Sequence, residues 1–291
     1  MKTIEIQHGR LVYAFCVDGR QGNPAFVFTT LPGEQINIDT CVDMAARLQS
    51  EVTWIQHGKT SSGICLRFFT PGGEIKFCGH GVLAAAAWLF HEVHTNNSFT
   101  FSIAGSTMQV ERDRLGRWSY RQQEFASRPI ESDAELAEAA HVMGLSSTQI
   151  TYENGARLGR SCGALREKLF VELPDKSYLE TIAIDAYRRD ALCERHGVTG
   201  IYAFAIYRDE RNPRVLARHF PIHCDEQEDM ATGGIAPTAI RYAGLSLEEG
   251  EVIIEQGGPS CGNARLIVTN TASVLIRRIA GECVVGDARL P

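Results

Sequence analysis

The stretch Phe77-Cys-Gly-His-Gly-Val-Leu-Ala-Ala-Ala-Ala-Trp-Leu-Phe90 decides the fold. From Val82 to Phe90 every residue is apolar, so no single face is selected, and a helix apolar all round has to be enclosed on every side. Ile235 to Ala243 repeats the pattern with Arg241 as its only charge. Each segment opens on glycines (Cys78-Gly-His-Gly81; Ala231-Thr-Gly-Gly234), and each follows a run ending in Phe-Thr-Pro71 or His-Phe-Pro221. The chain reads as a weak internal duplication.

Working outward, short runs rich in Ile, Val, Phe and Tyr predict strands at Leu11–Val17, Ala25–Phe28, Ile64–Phe69, Ser98–Ile103, Lys168–Leu173, Ile201–Tyr207, Val215–Phe220, Val252–Glu255, Leu266–Thr269 and Val274–Ile279. A helix is predicted over Ile38–Gln49, capped by Asn37 or Asp39, and another, lying on the surface, over Asp133–Met143. Sheets curled around the two apolar helices give an α+β architecture. Phe125–Ser132, with Pro129, is the expected crossover, so one domain takes residues 1–124 plus about 275–291 and the other 125–274.

A chain of 291 residues has room for about two domains. Its 29 Lys and Arg against 35 Asp and Glu leave a net charge of −6, without the basic excess that nucleic acid demands. The longest apolar run, Val82–Phe90, is half a membrane span, and Glu5 and Gln7 interrupt any export signal, so no membrane partner is expected. The nine cysteines are odd in number, scattered and free of Cys-x-x-Cys pairs, which suits a reducing cytoplasm and gives neither a disulfide framework nor a zinc ribbon. No metal cluster, phosphate loop or nicotinamide fingerprint stands out, so no metal and no cofactor are expected.

Chemistry is concentrated where the apolar helices begin. Unpaired amides and the helix dipole make such ends anion sites, although glycine there also simply permits a tight turn. His80 is either a structural histidine or a catalytic one, and Asp229, in the pair Glu228-Asp229, is either an N-cap or a catalytic carboxylate. Cys78 beside a helix start is a candidate nucleophile or carbon-acid base, or else a buried cysteine.

Gly22-Asn-Pro-Ala25, Ser50-Glu51, Phe69-Thr-Pro71 with Glu74, Phe77-Cys-Gly-His80, Arg218-His-Phe220 with Pro221, Glu228-Asp229 with Ala231-Thr-Gly233, and Gln256-Gly257 with Arg265 resemble, in order, the motifs of the PhzF-like isomerase family related to phenazine biosynthesis. That family is similar in fold to diaminopimelate epimerase and proline racemase. The resemblance implies two similar domains, each a curved, mostly antiparallel sheet wrapped around a central helix, with the active site in the cleft between them and a homodimeric assembly. It makes Glu51 the acid/base that moves a proton between carbons of a small carboxylated substrate, with His80 and Asp229 assisting. Cys78 lines the site, and the substrate carboxylate rests against amides at Gly79 to Gly81 and at Gly233 to Gly234, beside Thr232.

The epimerases and racemases of this fold use two opposed cysteines, one at each central helix start. Here the second start reads Met230-Ala-Thr-Gly-Gly234, which favours one-base chemistry; Cys224, six residues before Met230, is the remaining thiol to consider. Gly234 stands where the family commonly has a hydrogen-bonding side chain, Met230 where it has Pro and Val52 where Thr is common, and the segment before Glu51 is short. These departures bear on the substrate more than on the proton-shift machinery. The competing readings are an amino-acid racemase or epimerase using Cys78, and a non-catalytic carboxylate-binding member of the family.

Overall fold

In the computed structural model the described residues are 8–31, 33–58, 63–93, 96–207, 213–222, 228–245, 247, 250–258, 263–273 and 275–290. The chain divides into unit 1, residues 1–121 and 280–291, and unit 2, residues 122–279. No helix among the described residues is long and apolar enough to cross a membrane.

Unit 1 runs β1 (His8–Cys16), β2 (Asn23–Thr29), α1 (Ile38–Leu48), β3 (Val52–His57), β4 (Ile64–Thr70), β5 (Gly73–Ile75), α2 (Gly79–Val93), β6 (Ser98–Ile103), β7 (Ser106–Arg112) and β8 (Trp118–Gln123). Asn37 caps α1 by accepting the Thr40 N–H at 3.1 Å. The buried face of α1, Cys41 and Ala45, packs on Phe28, Val52, Trp54 and Phe69. The apolar segment lies in α2, which packs on β1, β2, β3 and β7, with Val82 to Ala86 at 0% exposure. Four alanines in succession let the strands approach the helix axis closely.

Unit 2 continues with β9 (Ala126–Pro129), α3 (Asp133–Val142), β10 (Arg157–Cys162), β11 (Leu169–Glu172), α4 (Lys176–Thr181), α5 (Ala186–His196), β12 (Gly200–Tyr207), β13 (Arg214–Pro221), α6 (Ala236–Tyr242), β14 (Glu251–Gln256), β15 (Ala264–Asn270) and β16 (Ile276–Leu290). Residues 280–290 of β16 belong to unit 1, where the strand pairs antiparallel with β1, Ala14 opposite Cys283.

The strand pairing displays the duplication. In unit 1, β1–β2 is antiparallel, β2–β3 parallel, β3–β4 antiparallel, β4–β6 parallel and β6–β7 antiparallel. In unit 2, β10–β11, β11–β12, β12–β13, β13–β14 and β14–β15 repeat that alternation. A parallel pair needs a crossover, usually helical. α1 and α2 supply them in unit 1; α4 with α5, and α6, supply them in unit 2. The sheets are therefore mixed rather than simple antiparallel meanders.

Two sequence expectations change, and one helix was not expected. The helix starting at Asp133 is not a surface element: Leu136, Ala139, Ala140 and Val142 are buried against Leu158, Leu169 and Ile201. The segment 125–132, expected as a crossover, contains β9 paired with β10, and the Phe125 N–H donates to the Thr238 hydroxyl of α6 at 3.1 Å. α5 escapes the apolar-periodicity test because its buried positions include Arg189, although Asp185 and Gly197 mark its ends with conventional caps.

Close enclosure of α2 sets an expectation for packing. Ala85→Leu in α2 is expected to cost about 1–3 kcal/mol of unfolding free energy. Ala46→Leu on the exposed side of α1 stays within about 0.5 kcal/mol of wild type, both read by urea denaturation.

Candidate active site

In unit 1, α1 ends at Gln49, which takes a left-handed conformation (φ 49°) and turns the chain so that Glu51 precedes β3. Because β3 lies between β2 and β4, Glu51 sits near both Asn23, the first residue of β2, and the chain entering α2. The Cys78 thiol donates to Glu51 Oε2 at 3.1 Å, and His80 Nε2 lies 3.7 Å from the same oxygen. His80 Nδ1 meets the Asn23 side-chain amide at 3.3 Å. With that amide donating, the neutral ring keeps its proton on Nε2, facing Glu51.

Burial is graded across this trio. Cys78 is 5% exposed, the His80 side chain 11% and the Glu51 side chain 26%. The Gly81 N–H donates to Cys78 Sγ at 3.3 Å, so this amide is already engaged by sulfur. The glycines at 79 and 81 are required by close approach: a Cβ at Gly79 would collide with the Tyr120 hydroxyl, and one at Gly81 with Thr53 Oγ1. Tyr120 OH is buried without a hydrogen-bond partner among the described residues, and burial, with Cys78 nearby adding to it, pushes its pKa up.

Unit 2 builds a second polar group beside α6. His219 and Asp229 form an antiparallel bridge, with the Asp229 N–H donating to His219 O at 3.1 Å. Asp229 Oδ2 receives the Thr232 hydroxyl at 2.8 Å and faces His219 Nδ1 at 3.2 Å, while its Oδ1 accepts the Ala231 N–H at 3.2 Å. Gln256 Nε2 donates to Asp229 O at 2.6 Å and to Thr232 Oγ1 at 2.8 Å. Burial pushes the His219 pKa down to about 4, with the Lys168 charge adding to the shift and Asp229 opposing it. The ring is therefore neutral and acts as a fixed donor to Asp229, whose side chain remains 27% exposed.

Glu228 and Asp229 part company. Arg218 grips Glu228 through Nε (3.0 Å) and Nη2, and its Nη1 donates to Leu179 O (2.6 Å) and Ile182 O (3.2 Å). At 8% and 2% exposure this pair is a structural lock. At Gly234 a Cβ would meet nothing within 4 Å. Cys224 lies outside the described residues.

The structure thus brings Glu51, Cys78 and His80 together with Gly79 and Gly81 in unit 1, and Asp229 with Thr232 in unit 2. Sequence reasoning passed over Asn23, His219 and Gln256 as site residues. Each lies in one of the motifs above; Asn23 and Gln256 depend on partners 57 and 27 residues away, and His219 on Asp229, ten residues on.

A family model described as phenazine biosynthesis-like protein (PhzC-PhzF) matches residues 12–285. The human phenazine biosynthesis-like domain-containing protein is 33% identical over 111 residues, covering 35% of this chain and 38% of its own length, so the match spans well under half of that relative. A Bacillus anthracis phenazine biosynthesis protein of the PhzF family superposes with a TM-score of 0.79 at 20% identity, covering 100% of both chains. A hydroxyproline epimerase from Agrobacterium vitis, solved with trans-4-hydroxy-L-proline, gives a TM-score of 0.56 at 10% identity over 98% of this chain and 93% of that one. At these identities the solved structures speak to fold alone.

Two outcomes follow from the unit 2 geometry. Arg218→Met strands a buried carboxylate and is expected to cost about 3–5 kcal/mol, much of it recovered by adding Glu228→Leu, as measured by urea unfolding. Because folding lowers the His219 pKa from 6.5 to about 4, the unfolded chain binds that proton first. This contribution is intact above about pH 6.5 and is lost as pH falls towards 4, with a slope of up to about 1.4 kcal/mol per pH unit. The pH-dependent difference in stability between wild type and His219→Gln isolates it.

Proposed function

The chain belongs to the phenazine biosynthesis-like PhzC-PhzF family, and from that premise we propose that it is an isomerase that moves a proton between carbons of a small carboxylated substrate. The observation that carries this reading is the convergence of the Cys78 thiol (3.1 Å) and His80 Nε2 (3.7 Å) on one oxygen of a partly exposed carboxylate, Glu51. A carboxylate held this way is oriented by neighbours that are themselves proton donors. It takes a proton from one carbon and returns it to another, and His80 relays or restores the charge.

His80 is kept in register by Asn23, so the acid/base pair is oriented before substrate arrives. Within unit 1 the substrate carboxylate is assigned to the Gly79 amide at the start of α2, since the Gly81 N–H is held by Cys78 Sγ; the resemblance nominates Gly233 and Gly234 as the counterparts in unit 2. Asp229, with Thr232, is assigned the assisting role. Every step uses side chains that exchange protons at carbon, so the scheme calls for neither a metal nor a cofactor. The homodimer and the cytoplasmic setting remain part of the proposal.

A second reading has its own observation. The thiol of Cys78 lies within hydrogen-bonding distance of a carboxylate that can deprotonate it, which suits a thiolate base in a racemase or epimerase. The start of α6 offers Thr232 where an opposed thiol would be needed, so the one-base reading ranks first.

The test is proton NMR in deuterated buffer with a dihydro-hydroxyanthranilate, proline, hydroxyproline and diaminopimelate, following both double-bond migration and deuterium uptake. Turnover by wild type that falls by about 10²–10⁴-fold in Glu51→Gln, and less in Asp229→Asn, supports the proposal. Turnover that survives Glu51→Gln but not Cys78→Ala transfers the assignment to the thiol. Saturable carboxylate binding without turnover makes the protein a binding member of its family.

A further inference from the structure

We propose that Glu51, Cys78 and His80 also form a zinc site with an open coordination position, and that zinc seated there silences the acid/base; the silencing, though not the binding, rests on the function proposed above. The sequence has no zinc-ribbon spacing, because the ligands come from two places: Cys78-x-His80 at the start of α2, and Glu51 from the turn before β3. Their donor atoms all lie within 4.8 Å of one another.

The distances carry the argument. Zinc binds thiolate sulfur at about 2.3 Å, imidazole nitrogen at about 2.0–2.1 Å and carboxylate oxygen at about 2.0–2.2 Å; at tetrahedral angles these bonds place the ligand atoms about 3.3–3.6 Å apart. Here Cys78 Sγ is 3.1 Å from Glu51 Oε2, His80 Nε2 is 3.5 Å from Sγ, and Nε2 is 3.7 Å from Oε2. The Sγ–Nε2 edge matches a zinc tetrahedron, the Nε2–Oε2 edge is about 0.3 Å long and the Sγ–Oε2 edge about 0.5 Å short, so seating the ion asks the thiol and the carboxylate to part by about half an ångström. Three protein ligands with a fourth position for water or substrate is the pattern of an open zinc site rather than a closed structural one.

The surroundings fit the same ion. A thiolate selects a borderline-soft metal over magnesium or calcium. The Gly81 N–H, 3.3 Å from Sγ, stabilises negative charge on the sulfur. Asn23 is positioned as the outer partner that orients a metal-bound histidine: with its amide rotated, the carbonyl oxygen accepts the Nδ1 proton and Nε2 presents its lone pair to the metal. Phe68, Phe77 and Tyr120, packed edge to face, form an apolar wall beside the cysteine. Zinc displaces the thiol proton, which leaves to solvent, and one S–Zn bond replaces the S–H···O hydrogen bond to Glu51. The carboxylate then holds metal in place of a proton.

The experiment titrates purified, chelator-treated protein with Co²⁺, read by its thiolate charge-transfer absorption and tetrahedral d–d bands, then displaces cobalt with Zn²⁺ and measures proton release with an indicator dye. One equivalent with a sulfur charge-transfer band, at least one proton released per zinc, and losses greater than about 100-fold in affinity in Cys78→Ser, His80→Gln and Glu51→Gln are expected; Asn23→Ala loses about 10–100-fold. Circular dichroism without metal checks that each variant is folded. Cobalt binding that His80→Gln and Glu51→Gln leave unchanged means adventitious capture by thiols and overturns the proposal, as does the absence of a charge-transfer band in wild type. If the site binds zinc as described while no compound is turned over, the zinc site stands and the isomerase reading falls. Turnover that zinc leaves unchanged at saturation overturns the silencing. Turnover abolished by chelator and restored by zinc retains the site and overturns silencing in favour of a metal-dependent reaction.

Discussion

A helix without a polar face cannot lie against water, and α2 obliges unit 1 to surround it with β1, β2, β3 and β7. The one part of such a helix that can carry chemistry is its end, where amides lack intrahelical partners. Gly79 and Gly81 let Tyr120 and Thr53 close in on that end, and Cys78 and His80 are left at the rim beside Glu51. The polar trio is thus a by-product of burying a greasy cylinder: the same requirement that hides Val82 to Ala86 fixes where the reactive groups stand.

Unit 2 answers the same requirement differently. α6 is short, and its entry is held by a polar mesh in which the two acidic neighbours take separate tasks: Glu228 binds Arg218 out of solvent, and Asp229 stays partly exposed. The buried, neutral His219 contributes a fixed dipole without a charge, which keeps the aspartate aligned and avoids a second ionised group inside the fold. In unit 1 the corresponding rim holds a thiol and an imidazole; in unit 2 it holds a hydroxyl and an amide. The duplicated framework survives in the strand alternation while its polar chemistry has diverged.

The elements legible in the sequence were those whose signal is local. α2 announced itself by composition, α1 by its apolar face and its Asn37 cap, and the buried strands of both units by their β-branched and aromatic runs. α5 was hidden because a fully buried Arg189 breaks the rule that helices bury apolar residues. β3 was missed because Thr53 and Gln56 interrupt its apolar run, and α3 was misjudged because its small alanines bury well without looking hydrophobic. The site was half legible. Glu51, His80 and Asp229 came from motifs, but the contact of Cys78 with Glu51, 27 residues away, and of Asn23 with His80, 57 residues away, exists only once β2, β3 and α2 are assembled.

The return of β16 to β1 imposes an order on manufacture. Gly19, just beyond β1, donates its N–H to the Glu282 carboxylate, 263 residues further along. A ribosome adding about 5–20 residues per second needs roughly 10–50 s to cover that distance. During that interval β1 has β2 on one side and an unsatisfied row of backbone groups on the other, the kind of edge that recruits other chains. Every strand of unit 2 up to β15 is synthesised before that row is covered. The β1 edge of the unit that carries the glutamate is thus covered only after the strands of unit 2 that lie between β1 and β16 in the chain have been made.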